Sequence, residues 1–425
     1  MLDIKIIRNS PETIEKKLQS KDPKVSLKNL LDLDKQIKAL KAELEQLQHA
    51  RNSAAKAVGE AKRKGENATS LLKENSHLQE KLQTTNASLN ALLGTYQNAL
   101  LSLPNIPADD VKPSLDVAEN EQIKVYKEQP SFSFAPKNHM ELNEKLHLFD
   151  FERGAKITGS LWPTYRGMGA RLEWALIQLM IDTHINAGFE FWLMPLAANK
   201  ETMQAAGNLP KFEDQLFKLD EEAKSLYLIP TSEAALNSLY RDEIIPEKNL
   251  PIKMCCYSPC FRREAGAAGS GERGLIRTHQ FNKVEMFAIC KPDQSETIMT
   301  QLRAQAELVL EKLDLHYRVM HLVSGDTSFQ AAKTLDIEVY LPGQKRYYEV
   351  SSISNCTDFQ SRRSKIRSKK GNDKPLWVHT LNGSGLATSR LMVALLETNQ
   401  NEDGSVTIPE ALRPYMQGES KIEPK

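Results

Sequence analysis

The chain has 425 residues, long enough for two or three domains. Its 56 Lys and Arg nearly cancel 55 Asp and Glu, leaving a net charge of +1, so any nucleic-acid binding has to come from a local basic patch. Cys255, Cys256, Cys260, Cys290 and Cys356 form an odd set without paired metal-ligand spacing, which fits a reduced setting with no structural zinc. The opening MLDIKIIRNSPETIEKK lacks the apolar run of a signal peptide and no stretch approaches a membrane span, so a cytoplasmic location without membrane contact is expected.

In the first third, Leu30, Leu33, Ile37, Leu40, Leu44 and Leu47 recur at steps of three and four, the seam of a coiled coil. The pattern weakens through RNSAAKAVGEAKRKGEN and resumes with Leu78, Leu82, Thr85, Leu89, Leu92, Tyr96, Ala99 and Leu103. Two such arms around a short turn predict an antiparallel helical hairpin, each arm about 35 residues and roughly 50 Å long at 1.5 Å per residue. Arg51, Lys56, Lys62, Arg63 and Lys64 gather toward its outer part. They are candidates for neutralising phosphates, and equally a solvated face.

The hairpin domain is expected to span residues 1–110, a linker 111–136, a catalytic domain 137–416 and a disordered tail 417–425. PNIPADDVKPS cannot continue a helix. Beyond it, helical patterns such as RLEWALIQLMIDTHINAG mix with the strand-like runs SLYLIP, KVEMFAIC, LHYRVMHLV, RYYEVSSIS and PLWVHTL. Strands and helices do not alternate regularly, which predicts an α+β fold around a mainly antiparallel sheet. There is no GxxxxGK[ST] phosphate loop. Gly269 to Gly274 matches GxGxxG but neither follows a buried strand nor opens a helix, and reads as the tip of a hairpin.

That tip interrupts FRREAGAAGSGERGLIRTHQFNKVE, residues 261–285. As two strands, this stretch aligns Arg262 with Glu264 on one face, and Arg277, His279, Phe281 and Glu285 on another. Such charges are costly to bury unless a ligand supplies their partners. Arginine suits phosphate or carboxylate, and Phe281 offers a flat surface for a base. An exposed, salt-bridged hairpin is the equally simple reading of this stretch alone. Three further segments favour a site. Thr231-Ser232-Glu233 ends a strand and opens a helix. Glu349 and Ser352, in YEVSS, offer oxygens to a hard cation such as Mg²⁺. LNGSGLATSR carries a glycine-bearing turn and Arg390 at the start of an apolar helix.

These segments, in order with LPKFEDQLFKL and the hairpin, make the chain resemble the bacterial-type seryl-tRNA synthetases, of the class II aminoacyl-tRNA synthetases. The resemblance covers nearly the whole length. It implies a class II antiparallel sheet flanked by helices, a homodimer, and a hairpin arm that reaches tRNA(Ser), with tRNA(Sec) as a further candidate. It assigns serine to Thr231, Ser232, Glu233, Arg262, Glu285, Asn382 and Ser384. It assigns ATP to Arg262, Arg263, Glu264, Arg277, Thr278, Phe281, Glu349, Val350, Ser351, Ser352 and Arg390. Mg²⁺ falls to Glu349 and Ser352, and the dimer-interface motif ends at Pro195. The chain departs from the family where Ser389 replaces a glycine beside Arg390, where AAGNLPKF replaces GTGQLPKF, and in GSLWPTYRGMGARLEW. A ligase loading a small amino acid on a carrier, and a coiled-coil protein with an inactive catalytic domain, are the alternatives. The arm argues against the first, and the presence of Arg262, Glu264 and Arg390 against the second.

Overall fold

Two long helices, α1 (Lys28–Lys64) and α2 (Thr69–Leu101), dominate the smaller of two units in the computed structural model, which describes residues 1–219, 225–265 and 272–425. This unit comprises Leu2–Gln19 and Pro23–Leu103. Leu30, Leu33 and Ile37 are buried, while Leu40, Leu44 and Leu47 are half-buried. Farther along, the seam passes to Ala54, Val58 and Ala61. The leucine pattern fades there because small residues take over the contact, not because the helix stops. Gly65, at φ 73°, ends α1 in the left-handed region and donates to the carbonyls of Ala61 and Lys62. The arms of 37 and 33 residues span about 55 and 50 Å. Near the foot of α1, buried Asp34 pairs with Arg8 at 2.5 Å and Lys38 at 3.1 Å, and the Arg8 hydrogen bond holds its carboxyl below the usual range.

The larger unit holds Pro104–Lys425 with Met1 and Ser20–Asp22. Its principal elements run β1 (Glu121–Tyr126), α3 (His139–Leu146), α4 (Met168–Asn186), β2 (Glu190–Trp192), β3 (Ile252–Phe261), β4 (Gln280–Cys290), α5 (Ser295–Lys312), β5 (Tyr317–His321), β6 (Lys333–Leu341), β7 (Arg346–Asn355), β8 (His379–Ala387) and α6 (Thr388–Thr398). The strands form one sheet in the order β1-β5-β6-β7-β8-β4-β3-β2. Every pair is antiparallel except β2 with β3. Leu172, Leu176 and Met180 of α4, Leu302 and Val309 of α5, and Leu391 and Leu395 of α6 join Met286, Ile337, Ile353 and Leu381 of the sheet in one core. Near-continuous burial along β4 marks it as a central strand. All five cysteines are free and buried, and burial pushes the thiol of Cys255 up to about 12 and those of Cys256 and Cys290 up to about 11.

Four expectations need correction. The segment 111–136 is more than a linker, because its β1 forms the sheet edge against β5. The tail 417–425 is ordered: Lys421–Ile422 pairs with Val406–Thr407, Ile422 is buried, and the Lys425 amide donates to Lys145 at 2.9 Å. The contact boundary at Leu103 and Pro104 also lies ahead of residue 110. Finally, LNGSGLA is a strand, not a turn. Its glycines admit neighbours: a Cβ on Gly383 would lie 3.1 Å from Ile353, and one on Gly385 would lie 2.3 Å from the His184 ring.

Candidate active site

The β3–β4 register sets Cys260 opposite Phe281, Ser258 opposite Lys283 and Cys256 opposite Glu285. Phe281, Lys283 and Glu285 therefore line one face at intervals of two. On the other side of β4, β8 sets Ser384 opposite Glu285, and the Ser384 carbonyl accepts from the Ser351 hydroxyl of β7 at 2.5 Å. A pocket forms over these strands. Arg262, Glu264, Arg277, Thr278, Phe281 and Lys283 line it from the β3–β4 side, and Glu349, Val350, Ser384, Ser389 and Arg390 from the other.

One end of the pocket carries three arginines, two of them paired with carboxylates. The Arg262 guanidinium lies 5.1 Å from the centre of the Phe281 ring, and its Nε donates to the Pro230 carbonyl at 3.3 Å. Arg277 donates to Glu264 at 2.7 Å and to Glu272 at 2.8 Å. Arg390 donates to the carbonyls of Ile276 at 3.3 Å and Glu349 at 2.8 Å. Ser389 is buried and lines the wall beside it.

Beside this end lies a buried acidic cluster. Glu285, 2% exposed, is ion-paired with Lys283, whose ammonium also donates to Thr231 Oγ1 at 2.7 Å. Thr231 donates to Glu285 at 3.4 Å and accepts from the Glu233 amide at 3.2 Å. Glu233 Oε1 accepts from the amides of Gln360 at 2.6 Å, Asn382 at 3.0 Å and Gln330 at 3.4 Å. Burial first, and then the charge of Glu285, push the Glu233 carboxyl up to about 7, against the pull of Gln360. Ser232, between Thr231 and Glu233, is fully buried.

Some expected residues lie elsewhere. The strands are shorter than the alternation implied, so Arg277 and His279 precede β4 and Arg262 follows β3. The His279 ring packs 5.6 Å from Trp162 and 6.1 Å from Phe217, outside the pocket lining. Arg263 lines a separate depression with Glu213, Asp214 and Phe217. Asn382 spends its amide on Glu233 and the Cys356 sulfur. The glycine-rich tip, residues 266–271, lies outside the described residues.

Other side chains of the site carry little sequence signal. Lys283 sits inside an expected motif, and only its alternation with Phe281 and Glu285 hinted at an inward direction. Gln330 and Gln360 gave no local signal. Asp336 on β6 is the cross-strand partner of Ser352 on β7 and accepts its hydrogen bond. Its Oδ1 is buried with no partner among the described residues. Burial and the nearby Glu349 charge push its carboxyl well above the usual range. No set of three or more His, Cys, Asp or Glu side chains forms a metal cage among the described residues. An incomplete oxygen set suits Mg²⁺, which keeps waters and phosphate oxygens as ligands. The side chains of Glu349, Ser352 and Asp336 fit it.

An antiparallel sheet with arginines at two strand-end motifs is the core of a class II aminoacyl-tRNA synthetase. Residues 211–399 match the tRNA synthetase class II core domain (G, H, P, S and T). Residues 1–107 match the seryl-tRNA synthetase N-terminal domain. A serine--tRNA ligase of Chlamydia abortus is 49% identical over 424 residues, covering 100% of both chains. The chain belongs to the seryl-tRNA synthetase family. The crystal structure of seryl-tRNA synthetase from Pyrococcus horikoshii complexed with ATP superposes with a TM-score of 0.92 at 34% identity, covering 100% of both chains. That of the Naegleria fowleri cytoplasmic enzyme in complex with AMP gives 0.87 at 26% identity, covering 100% of this chain and 99% of that one.

Glu233 yields a pH prediction. Between its ordinary value of 4.5 and about 7, the folded chain keeps a proton that the unfolded chain has released, so Glu233 costs stability as pH rises through that window. Glu233→Gln removes this dependence and keeps an oxygen for the three amides. Urea unfolding at pH 5 and pH 8 should show the variant gaining on the wild type at the higher pH, by on the order of 1–3 kcal/mol. An equal difference at both values would mean that Glu233 ionises normally in the folded chain.

Proposed function

We propose that the chain is a serine--tRNA ligase, which activates L-serine with ATP and transfers it to tRNA(Ser). Where a cell contains tRNA(Sec), that is a second acceptor. The observation that carries this reading is the juxtaposition of a buried Thr231, Glu233 and Glu285 cluster with the Arg262, Arg277 and Arg390 end of the pocket. The first group suits an ammonium and a small hydroxyl, the second a triphosphate.

The serine carboxylate attacks the α-phosphorus of ATP in line, and pyrophosphate leaves. A terminal ribose hydroxyl of tRNA then attacks the carbonyl carbon of seryl-adenylate, and AMP leaves as the ester forms. Neither step requires an enzyme nucleophile, so positioning and charge stabilisation carry the chemistry. Arg262 spans the serine carboxylate and the α-phosphate and offsets charge developing there. Phe281 stacks on adenine, and Arg390 meets the γ-phosphate. Arg277 exchanges part of its pairing with Glu264 and Glu272 for the nucleotide. Glu349 and Ser352 would hold Mg²⁺, which would supply charge withdrawal at the phosphate oxygens. Thr231, Glu233, Glu285 and Ser384 select serine. Alanine leaves buried polar groups unpaired, whereas one extra methyl on threonine must be rejected by space, worth about 1–3 kcal/mol.

The hairpin is the tRNA-binding arm. Lys56, Lys62, Arg63 and Lys64 are exposed on it, whereas Arg51 is half-buried and hydrogen-bonded to Gln79 and Asn52. Such contacts are directed to phosphates and weaken with salt. The enzyme works in the cytoplasm as a homodimer. Exposed Leu193, Pro195 and Leu196 follow the short edge strand β2, an apolar strip suited to a second copy.

Glu285→Ala should reduce serine-dependent pyrophosphate exchange by at least about 100-fold, the scale of losing a buried charged partner, while nucleotide binding persists. Exchange near wild-type levels would remove Glu285 from the serine site. Deleting residues 35–100 should spare serine activation and abolish charging of tRNA. Equal loss of both would make the arm a folding element instead. Leu193→Asp should shift the mass measured by light scattering from dimer toward monomer, and an unchanged mass would place the interface elsewhere.

A further inference from the structure

Helix α6 has a second function at the end away from Arg390. Glu397 lies seven residues later, two turns along and on the same face. Its side chain is fully buried in the last turn, where the helix carbonyls disfavour a carboxylate. Four donors compensate. The His139 amide reaches Oε1 at 3.1 Å, the Gln344 amide at 3.1 Å, and the His139 ring Nδ1 at 3.4 Å, while the Gly343 amide reaches Oε2 at 2.9 Å. His139 is 3% exposed, and its Nε2 accepts from the Leu275 amide at 3.2 Å. An accepting nitrogen carries no proton, so the ring proton sits on Nδ1, toward Glu397.

Leu275 lies on the limb that returns from the glycine-rich tip to Arg277 and β4. The adjoining Ile276 carbonyl accepts from Arg390. One end of α6 therefore grips this limb directly, and the other grips it through His139. The approach is close: a Cβ on Gly274, at φ 68°, would lie 2.1 Å from His139 Nε2 and 2.7 Å from the Met140 sulfur.

We infer that His139, braced by Glu397, is a positioning residue for the nucleotide half of the site. It pins the return limb at Leu275 so that Arg277 and the Ile276–Arg390 contact meet the triphosphate in register. This inference rests on the reading of the pocket as an ATP site.

Pyrophosphate exchange should be measured with ATP and serine varied separately for His139→Phe, His139→Gln and Gly274→Ala. His139→Phe keeps the ring volume and loses the acceptor, and should raise KM for ATP by about tenfold, the scale of one lost hydrogen bond, while KM for serine stays within about twofold. His139→Gln returns an acceptor near Nε2 and should recover most of that loss. Gly274→Ala, which pushes the limb off the ring, should reproduce the ATP-selective defect. Hydrogen exchange at the Leu275 amide should quicken in His139→Phe. Proportionate changes in both KM values, no recovery with glutamine, or unchanged Leu275 exchange would overturn the inference. A wild-type enzyme that fails to exchange with serine would instead overturn the functional reading. If His139→Phe does not fold, the glutamine and Gly274 variants carry the same test.

Discussion

The site depends on how two carboxylates coexist at the floor of a buried cluster. Glu233 and Glu285 are both almost inaccessible, and the charge of Glu285 adds to the cost that burial places on ionising Glu233. Lys283 supplies a positive charge to one, and three side-chain amides surround the other. Breaking a buried pair is far more damaging than never having made it. The Lys283 position, set by the β3–β4 register, therefore governs whether the cluster can exist before a ligand arrives.

That arrangement divides the pocket by charge without dividing it by element. β4 carries Phe281, Lys283 and Glu285 within five residues, so one rigid strand spans both halves. Its neighbours bring Arg262 at the end of β3, Ser384 on β8 and Glu349 on β7. Groups mounted on hydrogen-bonded strands hold their spacing better than groups on loops, which suits a reaction that relies on alignment. Arg262, just past β3, and the loop-borne Arg277 are exceptions; the Pro230 carbonyl accepts from the first, and two carboxylates hold the second beside the pocket.

Much of this was legible in the chain because the family's motifs are short contiguous strings. Thr231, Glu233, Arg262, Glu285 and Arg390 each sit in one, and each has a side chain with few other uses. The supporting residues were not legible. Gln360 meets Glu233 across 127 positions, and His139 meets Glu397 across 258, with no periodic signal at either end. Asp336 reads as an ordinary strand residue until its register partner Ser352 is known. The same limit applies to the fold. The hairpin was evident from its leucines, but its outer part holds together through Ala54, Val58 and Ala61, which carry little pattern. β1 carries no such signal, because Ile123 and Val125 are both exposed on an edge strand and no buried face announces it.

The sealed position of all five sulfurs has a practical corollary. With every native thiol buried and pushed toward its protonated form, none presents the thiolate on which alkylating reagents act. A cysteine introduced at the exposed turn between the long helices would thus be the preferred attachment point for a maleimide dye on the intact protein. Fluorescence from that point would report the arrival of RNA without first stripping the chain of its own cysteines.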